Sequence, residues 1–218
     1  MKRLDPNPGH SGLTLVEVLL VMAIIAVLAA LFLPPLAGSR KAKVPLCMSN
    51  LKQIDIGFNI FASNNHGQFP MEIPVTKGGT MEFIYSGHTF PHFEKLKNYQ
   101  IQPRLFICPF ETNRQAADSY EALNDLNLSY FVNADASTND PSLTILIGDR
   151  FLQVNGQPVA PGLLAVTTNL NLSWTPNFHV GGGNFTFADG HCEFVRDGNR
   201  LKSIISGQPL ETNRFSVP

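Results

Sequence analysis

The side chains able to do chemistry in this sequence fall into three groups. The first is a lone carboxylate, Glu17, inside the apolar run Leu13–Leu33, which reads LTLVEVLLVMAIIAVLAALFL and carries no other charge. A carboxylate in hydrocarbon costs at least a few kcal/mol, so a membrane segment that keeps one has a use for it. The second group is His179, Asp189 and His191. Gly181-Gly182-Gly183 can fold the chain back and bring these three together, and a His/Asp/His set can hold a divalent metal. The plainer reading has His179 and Asp189 hydrogen-bonded to backbone, closing the glycine loop and the following turn. It is preferred, because one aspartate between two histidines is too thin a signal for catalysis. The third group is Cys47, Cys108 and Cys192. In an exported domain three cysteines suggest one disulfide and one thiol left over, and spacing does not settle which pair forms.

Other arrangements are weaker. Asp118, Asp125, Asp135 and Asp140 fall in loops without the spacing of an EF-hand, so calcium is a minor alternative and no cofactor is expected. Trp174 with Phe178 could form an aromatic platform, but a lone tryptophan near a proline reads better as packing. No G-x-S-x-G elbow, P-loop, dinucleotide fingerprint or H-E-x-x-H occurs, and the expectation is that the chain is not an enzyme. A net charge of −1 with 15% charged residues gives no basic field for a phosphate backbone, so nucleic acid is not expected as a partner.

The elements that must position these residues follow from the pattern of apolar side chains. The 21 residues of Leu13–Leu33 would reach roughly 30 Å as a helix, the thickness of a bilayer's hydrocarbon core. Lys2 and Arg3 precede the run, which keeps the leader cytoplasmic and sends the remainder outward. An ordinary secretory signal is the competitor, with Leu36-Ala37-Gly38 as its cleavage site. Its apolar core is typically about 7 to 15 residues, however, and it has no use for Glu17. Pro34 and Pro35 break the helix, and Arg40, Lys41 and Lys43 follow, able to snorkel to headgroups from the exported side. After Pro45, the recurrence of Cys47, Leu51, Ile54, Phe58 and Phe61 predicts an amphipathic helix that Asn64-Asn65-His66-Gly67 stops.

Beyond it, β-type segments at Met81–Tyr85, Leu105–Cys108, Leu128–Val132 and Leu143–Ile147 alternate with Pro, Gly and Asn clusters, which predicts an antiparallel sheet with long loops. Asp189-Gly190 predicts a two-residue hairpin turn between Asn184–Ala188 and His191–Val195. In that register Phe187 faces Cys192 and Phe185 faces Phe194, on the side against the helix, with Thr186 and Glu193 on the other.

The stretch Gly12-Leu13-Thr14-Leu15-Val16-Glu17 resembles the processing motif of type IV prepilins and pseudopilins. The resemblance implies cleavage by a membrane aspartyl peptidase between Gly12 and Leu13, methylation of the new amine, and Glu17, fifth residue of the mature chain, as the assembly residue whose carboxylate neutralises the amine of a neighbouring subunit. Leu13 stands where phenylalanine is commoner. Pro34 matches the family's proline at the base of the membrane helix. Cys47-Met48-Ser49-Asn50-Leu51-Lys52-Gln53-Ile54, His66-Gly67-Gln68-Phe69-Pro70 and Phe106-Ile107-Cys108-Pro109 are similar to landmarks of the prepilin group with an H-X9-DG tail motif, here His179 followed by Asp189-Gly190.

That likeness implies Cys47 and Cys108 as the disulfide, with Cys108–Cys192 the runner-up and Cys192 otherwise a buried apolar residue of the hairpin. It also implies an α+β pilin-like fold, a long helix on an antiparallel sheet. The expected divisions are 1–12 leader, 13–35 membrane and assembly helix, 36–66 amphipathic helix, and 67–218 head. The expected role is a subunit of a pilus or type II secretion pseudopilus in the bacterial inner membrane, head outward. Its partners would be prepilin peptidase, other pilin subunits, the assembly machinery and lipid. The alternatives are a membrane-tethered periplasmic binding domain exported by the prepilin route and, third, a metal-dependent periplasmic enzyme.

Overall fold

The computed structural model describes residues 12, 14–32, 40–139, 141–176 and 178–218 of the 218. The chain divides into two compact units, Met1–Gly38 and Ser39–Pro218.

In the first unit a helix, α1, runs over Leu15–Phe32. Leu, Ile, Val, Ala and Met side chains surround it on every side, and from Leu15 to Leu28 they are exposed. Among the described residues no helix is long and apolar enough to cross a membrane. Leu13 and Leu33, the ends of the expected span, lie outside the described residues, as does Pro34.

The second unit is an α+β head. Its helix α2, Arg40–Asn64, begins before Pro45, which was expected to precede it and instead lies inside. Cys47, Leu51, Ile54, Phe58, Phe61 and Ala62 are buried along one face, a spacing of three and four that turns one stripe inward. The helix stops where expected, because His66 and Gly67 take left-handed φ of 58° and 79° and the Gly67 N–H caps Ala62 O at 2.9 Å.

A six-stranded antiparallel sheet carries α2. Its strands are β1 (Tyr130–Asn133), β2 (Ile145–Asp149), β5 (Gly162–Thr167), β7 (Gly183–Phe187), β8 (Cys192–Val195) and β9 (Thr212–Val217), in the order β5-β9-β1-β2-β7-β8. β3 (Leu152–Val154), β4 (Gln157–Pro158) and β6 (Leu172–Trp174) form a small second sheet. Two cores result, one on each face of the large sheet. Tyr130 and Val132 of β1 join the α2 core, whereas Phe131 between them points to the opposite core. That second core is closed by α3, Gly198–Ser206, through Leu201, Ile204 and Ile205, with Asp197 Oδ1 accepting from Asn199 N at 3.1 Å as its N-cap.

Two of the expected strands are absent. Met81–Ser86 and Pro103–Phe106 are 3₁₀ turns. Neither has a partner strand: Pro103 presets the turn conformation at the start of one, and Gly87 in the left-handed region ends the other. The other two expectations meet strands in part, each starting two residues later, at Tyr130–Asn133 and Ile145–Asp149.

The hairpin also differs. Phe187 N donates to His191 O at 3.0 Å and Gly190 N to Phe187 O at 2.8 Å, so Ala188-Asp189-Gly190 make a three-residue loop with Gly190 at φ 89°. The added residue slides the register by one, pairing Phe185 with Glu193 and Thr186 with Cys192. Phe185 and Phe187 enter the core away from α2, Thr186 is the residue turned toward the helix, and the slip puts Cys192 opposite Thr186 rather than Phe187.

Candidate functional site

Two places bring the chemistry-bearing residues into defined geometry, one in each unit. At the start of α1, Glu17 Oε2 accepts from Thr14 N and from Thr14 Oγ1, both at 2.8 Å, while Glu17 N donates to Thr14 Oγ1 at 3.3 Å. This reciprocal pairing is a capping box, Thr14 at the helix cap and Glu17 three residues on. The carboxylate thus already satisfies donors of the first turn, and its negative charge lies at the positive end of the helix dipole. Sequence reading assigned the glutamate an intermolecular role and missed this local one, although T-x-x-E before an apolar run is its signature. Leu13, at the expected cleavage bond, lies outside the described residues.

In the head, a disulfide joins Cys47 of α2 to Cys108, with an S–S distance of 2.05 Å. Asn50, one turn on, donates to Ile107 O at 3.1 Å, so the helix and the Ile107-Cys108 segment are tied twice. His179 stands against this bridge, fully buried, with Nε2 3.2 Å from Cys108 Sγ. Its Nδ1 lies 3.0 Å from Asp149 Oδ2 and 3.3 Å from Asn184 Nδ2. Asp149 Oδ2 accepts from Asn184 N at 2.7 Å and Asn184 Nδ2 at 2.9 Å, so strand β7 holds the carboxylate of β2 in place. The rings of Phe178 and Phe110 close on the imidazole at 4.0 and 4.6 Å between centroids.

The glycine run serves this placement as steric room. His179 and Val180 carry φ of 43° and 60° and Gly181 81°, a left-handed stretch that returns the chain toward β7. At Gly183 a Cβ would stand 2.3 Å from the Trp174 ring, so only glycine allows the tryptophan to close over the strand.

His179, Asp189 and His191 do not form one cluster. Asp189 Oδ1 takes the His191 ring nitrogen at 2.6 Å and the His191 N–H at 3.0 Å on the exposed turn, while His179 is occupied by Asp149, Asn184 and Cys108. Nor do the loop aspartates converge. Asp125 Oδ1 accepts from the Thr89 and Phe90 N–H groups at 2.8 and 2.9 Å, and Asp135 accepts from Arg214 N at 2.7 Å and pairs with its guanidinium. Asp140 lies outside the described residues. Trp174 is buried against Phe185 with ring centroids 5.2 Å apart, and Phe178 stacks on Phe151 at 3.5 Å, which is packing rather than a ligand platform.

Asp149, His179 and Cys108 are ordered as carboxylate, imidazole and sulfur, the sequence of a thiol triad. Cys108 is bonded to Cys47 and has no exposed surface, so this arrangement offers no free nucleophile. Cys192 holds the remaining thiol, half-buried on β8; burial, with Asp55 nearby, pushes its pKa up to about 11.

A residue that sequence reading passed over sits where α2 meets the hairpin. Asp55 is buried on the helix, and burial pushes its carboxyl up to about 7, against the Thr186 hydroxyl and the Asn59 amide, which hold it down. Its Oδ1 and Thr186 Oγ1 have no partner at hydrogen-bond geometry. The signal was present, since position 55 adjoins the apolar stripe at Leu51, Ile54 and Phe58.

Comparison with known proteins finds a likeness at the N-terminus. Residues 7–33 match the family described as "Prokaryotic N-terminal methylation motif". No curated protein and no solved structure matches. The chain therefore carries a prepilin-type N-terminus, and the H-X9-DG reading of the head rests on sequence landmarks alone.

Proposed function

We propose that this protein is a membrane-anchored structural subunit of a type IV pilus-like or pseudopilus filament, processed by prepilin peptidase after Gly12. The observation that carries the reading is the methylation motif over residues 7–33 with Glu17 as the only charge in the apolar run. Leu13–Leu33 anchors the chain in the inner membrane as a single span, head outward; the support for that span is the length and apolarity of the sequence run. Cleavage creates an amine at the apolar end of the helix. A neighbouring subunit's Glu17 neutralises it, because in low dielectric either charge left alone is strongly unfavourable. The capping box gives this step a definite starting point: Glu17 exchanges some of its contacts with Thr14 for the neighbour's amine. The head, tied to α2 by a disulfide, rides on the outside of the filament.

The test is Glu17→Gln. Glutamine can still cap the helix through its side-chain oxygen, so the substitution removes charge and spares the local geometry. Membrane insertion and leader cleavage are expected to persist while assembly is lost. Normal assembly by this variant would contradict the reading.

A tethered binding domain is the second reading, favoured by a cleft of about 660 Å³ beside the N-terminus of α3, lined by polar residues such as Asn169, Asn171 and Asn199 and by the apolar Leu170, Leu172 and Ile205. Such a protein would be indifferent to Glu17→Gln.

A further inference from the structure

The cluster of Cys47, Cys108, His179 and Asp149 has no part in filament assembly as described above. Both Sγ atoms and a ring nitrogen of His179 lie within 4.8 Å of one another, the one such convergence of three His, Cys or carboxylate donors among the described residues. We propose that in the reduced chain Cys47, Cys108 and His179 bind one soft divalent cation of the zinc class, with Asp149 as the residue that positions the histidine.

The ligand chemistry is that of zinc, two thiolates and an imidazole, with a fourth position left for water. A cation on Nε2 leaves the ring proton on Nδ1, and Asp149 Oδ2 stands 3.0 Å from that nitrogen. Carboxylate support of this kind orients a ligating histidine and raises its basicity. The carboxylate has capacity to spare, since Asp149 Oδ1 is buried without a hydrogen-bond partner. The backbone also bends uncommonly to deliver the ring: Val180, beside His179, holds φ at 60°, a region rare for a β-branched residue. The aromatic wall of Phe110 and Phe178 lowers the local dielectric and strengthens thiolate–cation attraction.

The two states exclude each other. A dithiol reductant supplies two electrons and two protons, the Cys47–Cys108 bond breaks to two thiols, and the reductant becomes a disulfide. Cation binding then releases the two thiol protons to solvent. Bridge and cation close the same seam between α2 and the Ile107-Cys108 segment, so the head is fastened there in either redox state.

The experiment uses the full chain in detergent micelles with Cys192→Ser, which leaves Cys47 and Cys108 as the only cysteines. After reduction and removal of metal, Co²⁺ is titrated without oxygen. One equivalent should produce a near-ultraviolet thiolate-to-cobalt band and the strong visible bands of tetrahedral cobalt, both displaced by Zn²⁺ and absent from the oxidised protein. Asp149→Asn should keep the spectrum and weaken affinity by roughly 10- to 100-fold. Absence of the bands in the reduced chain overturns the site, as does their survival unchanged in Cys108→Ser or His179→Ala. An unchanged affinity in Asp149→Asn overturns the role given to that residue. The unsubstituted cluster decides the main claim by itself, so a variant that misfolds does not blunt the test.

Discussion

Replacing Asp55 by asparagine should flatten part of the head's pH dependence. The side chain is buried between α2 and the β7–β8 hairpin, where loss of water is the largest influence and brings its carboxyl to about 7, against an ordinary 3.8. Between those values the unfolded chain has given up the proton and the folded chain still holds it. Stability therefore falls as pH rises through this window, and the loss levels off above about 7. A displacement of that size corresponds to roughly 4 kcal/mol when fully expressed. Asparagine keeps the shape, still accepts from Asn59, and carries no charge to bury. Its amide can donate to Thr186 Oγ1, the hydroxyl that already faces the carboxyl.

Urea unfolding of both proteins in the same micelles, at about pH 5 and pH 8, isolates the effect, because every other titrating group is common to the pair. The variant's advantage should widen by roughly 3 kcal/mol between the two conditions. Parallel behaviour of the two proteins would refute the assignment of a buried, protonated carboxyl at this position.

Other consequences are equally concrete. Cys47 and Cys108 are 61 residues apart in sequence, and opening a loop of that length by the double Cys→Ala change should cost about 4 kcal/mol in denaturant unfolding, or less if the reduced chain retains structure. The hairpin register can be trapped chemically: Thr186→Cys should oxidise with Cys192, its cross-strand partner. Non-reducing peptide mapping that finds no such bond would favour the alternative pairing, with Glu193 opposite position 186.

The parts of this molecule written in local sequence were legible, and those set by distant partners were not. The stripe Cys47, Leu51, Ile54, Phe58 and Phe61 names a helix face by spacing alone, and Asn65-His66-Gly67 contains the residues that can adopt the left-handed exit. Met81–Tyr85 and Leu105–Cys108 have the composition of strands, yet strand formation requires a partner, and no propensity reports its absence. Asp189-Gly190 marks a turn in either register; that the loop holds three residues follows from the pairing of Thr186 with Cys192 across the two strands, which the turn residues alone do not report. At the site, the resemblance pointed to Cys47, Cys108 and His179 one at a time. Asp149 was invisible, because its role comes from lying opposite Asn184 across β2 and β7, 35 residues apart. Asp55 was overlooked for the opposite reason: a charge next to an apolar stripe reads as helix surface until the hairpin that covers it is in view.

The claim on which the functional account depends is that the leader is removed at Gly12 and the apolar run retained. Mass spectrometry of the N-terminal peptide from membrane-extracted protein tests it directly. The account predicts a chain beginning at Leu13 with a methylated amine. A chain beginning near Ser39, with the apolar run cut away, would contradict it.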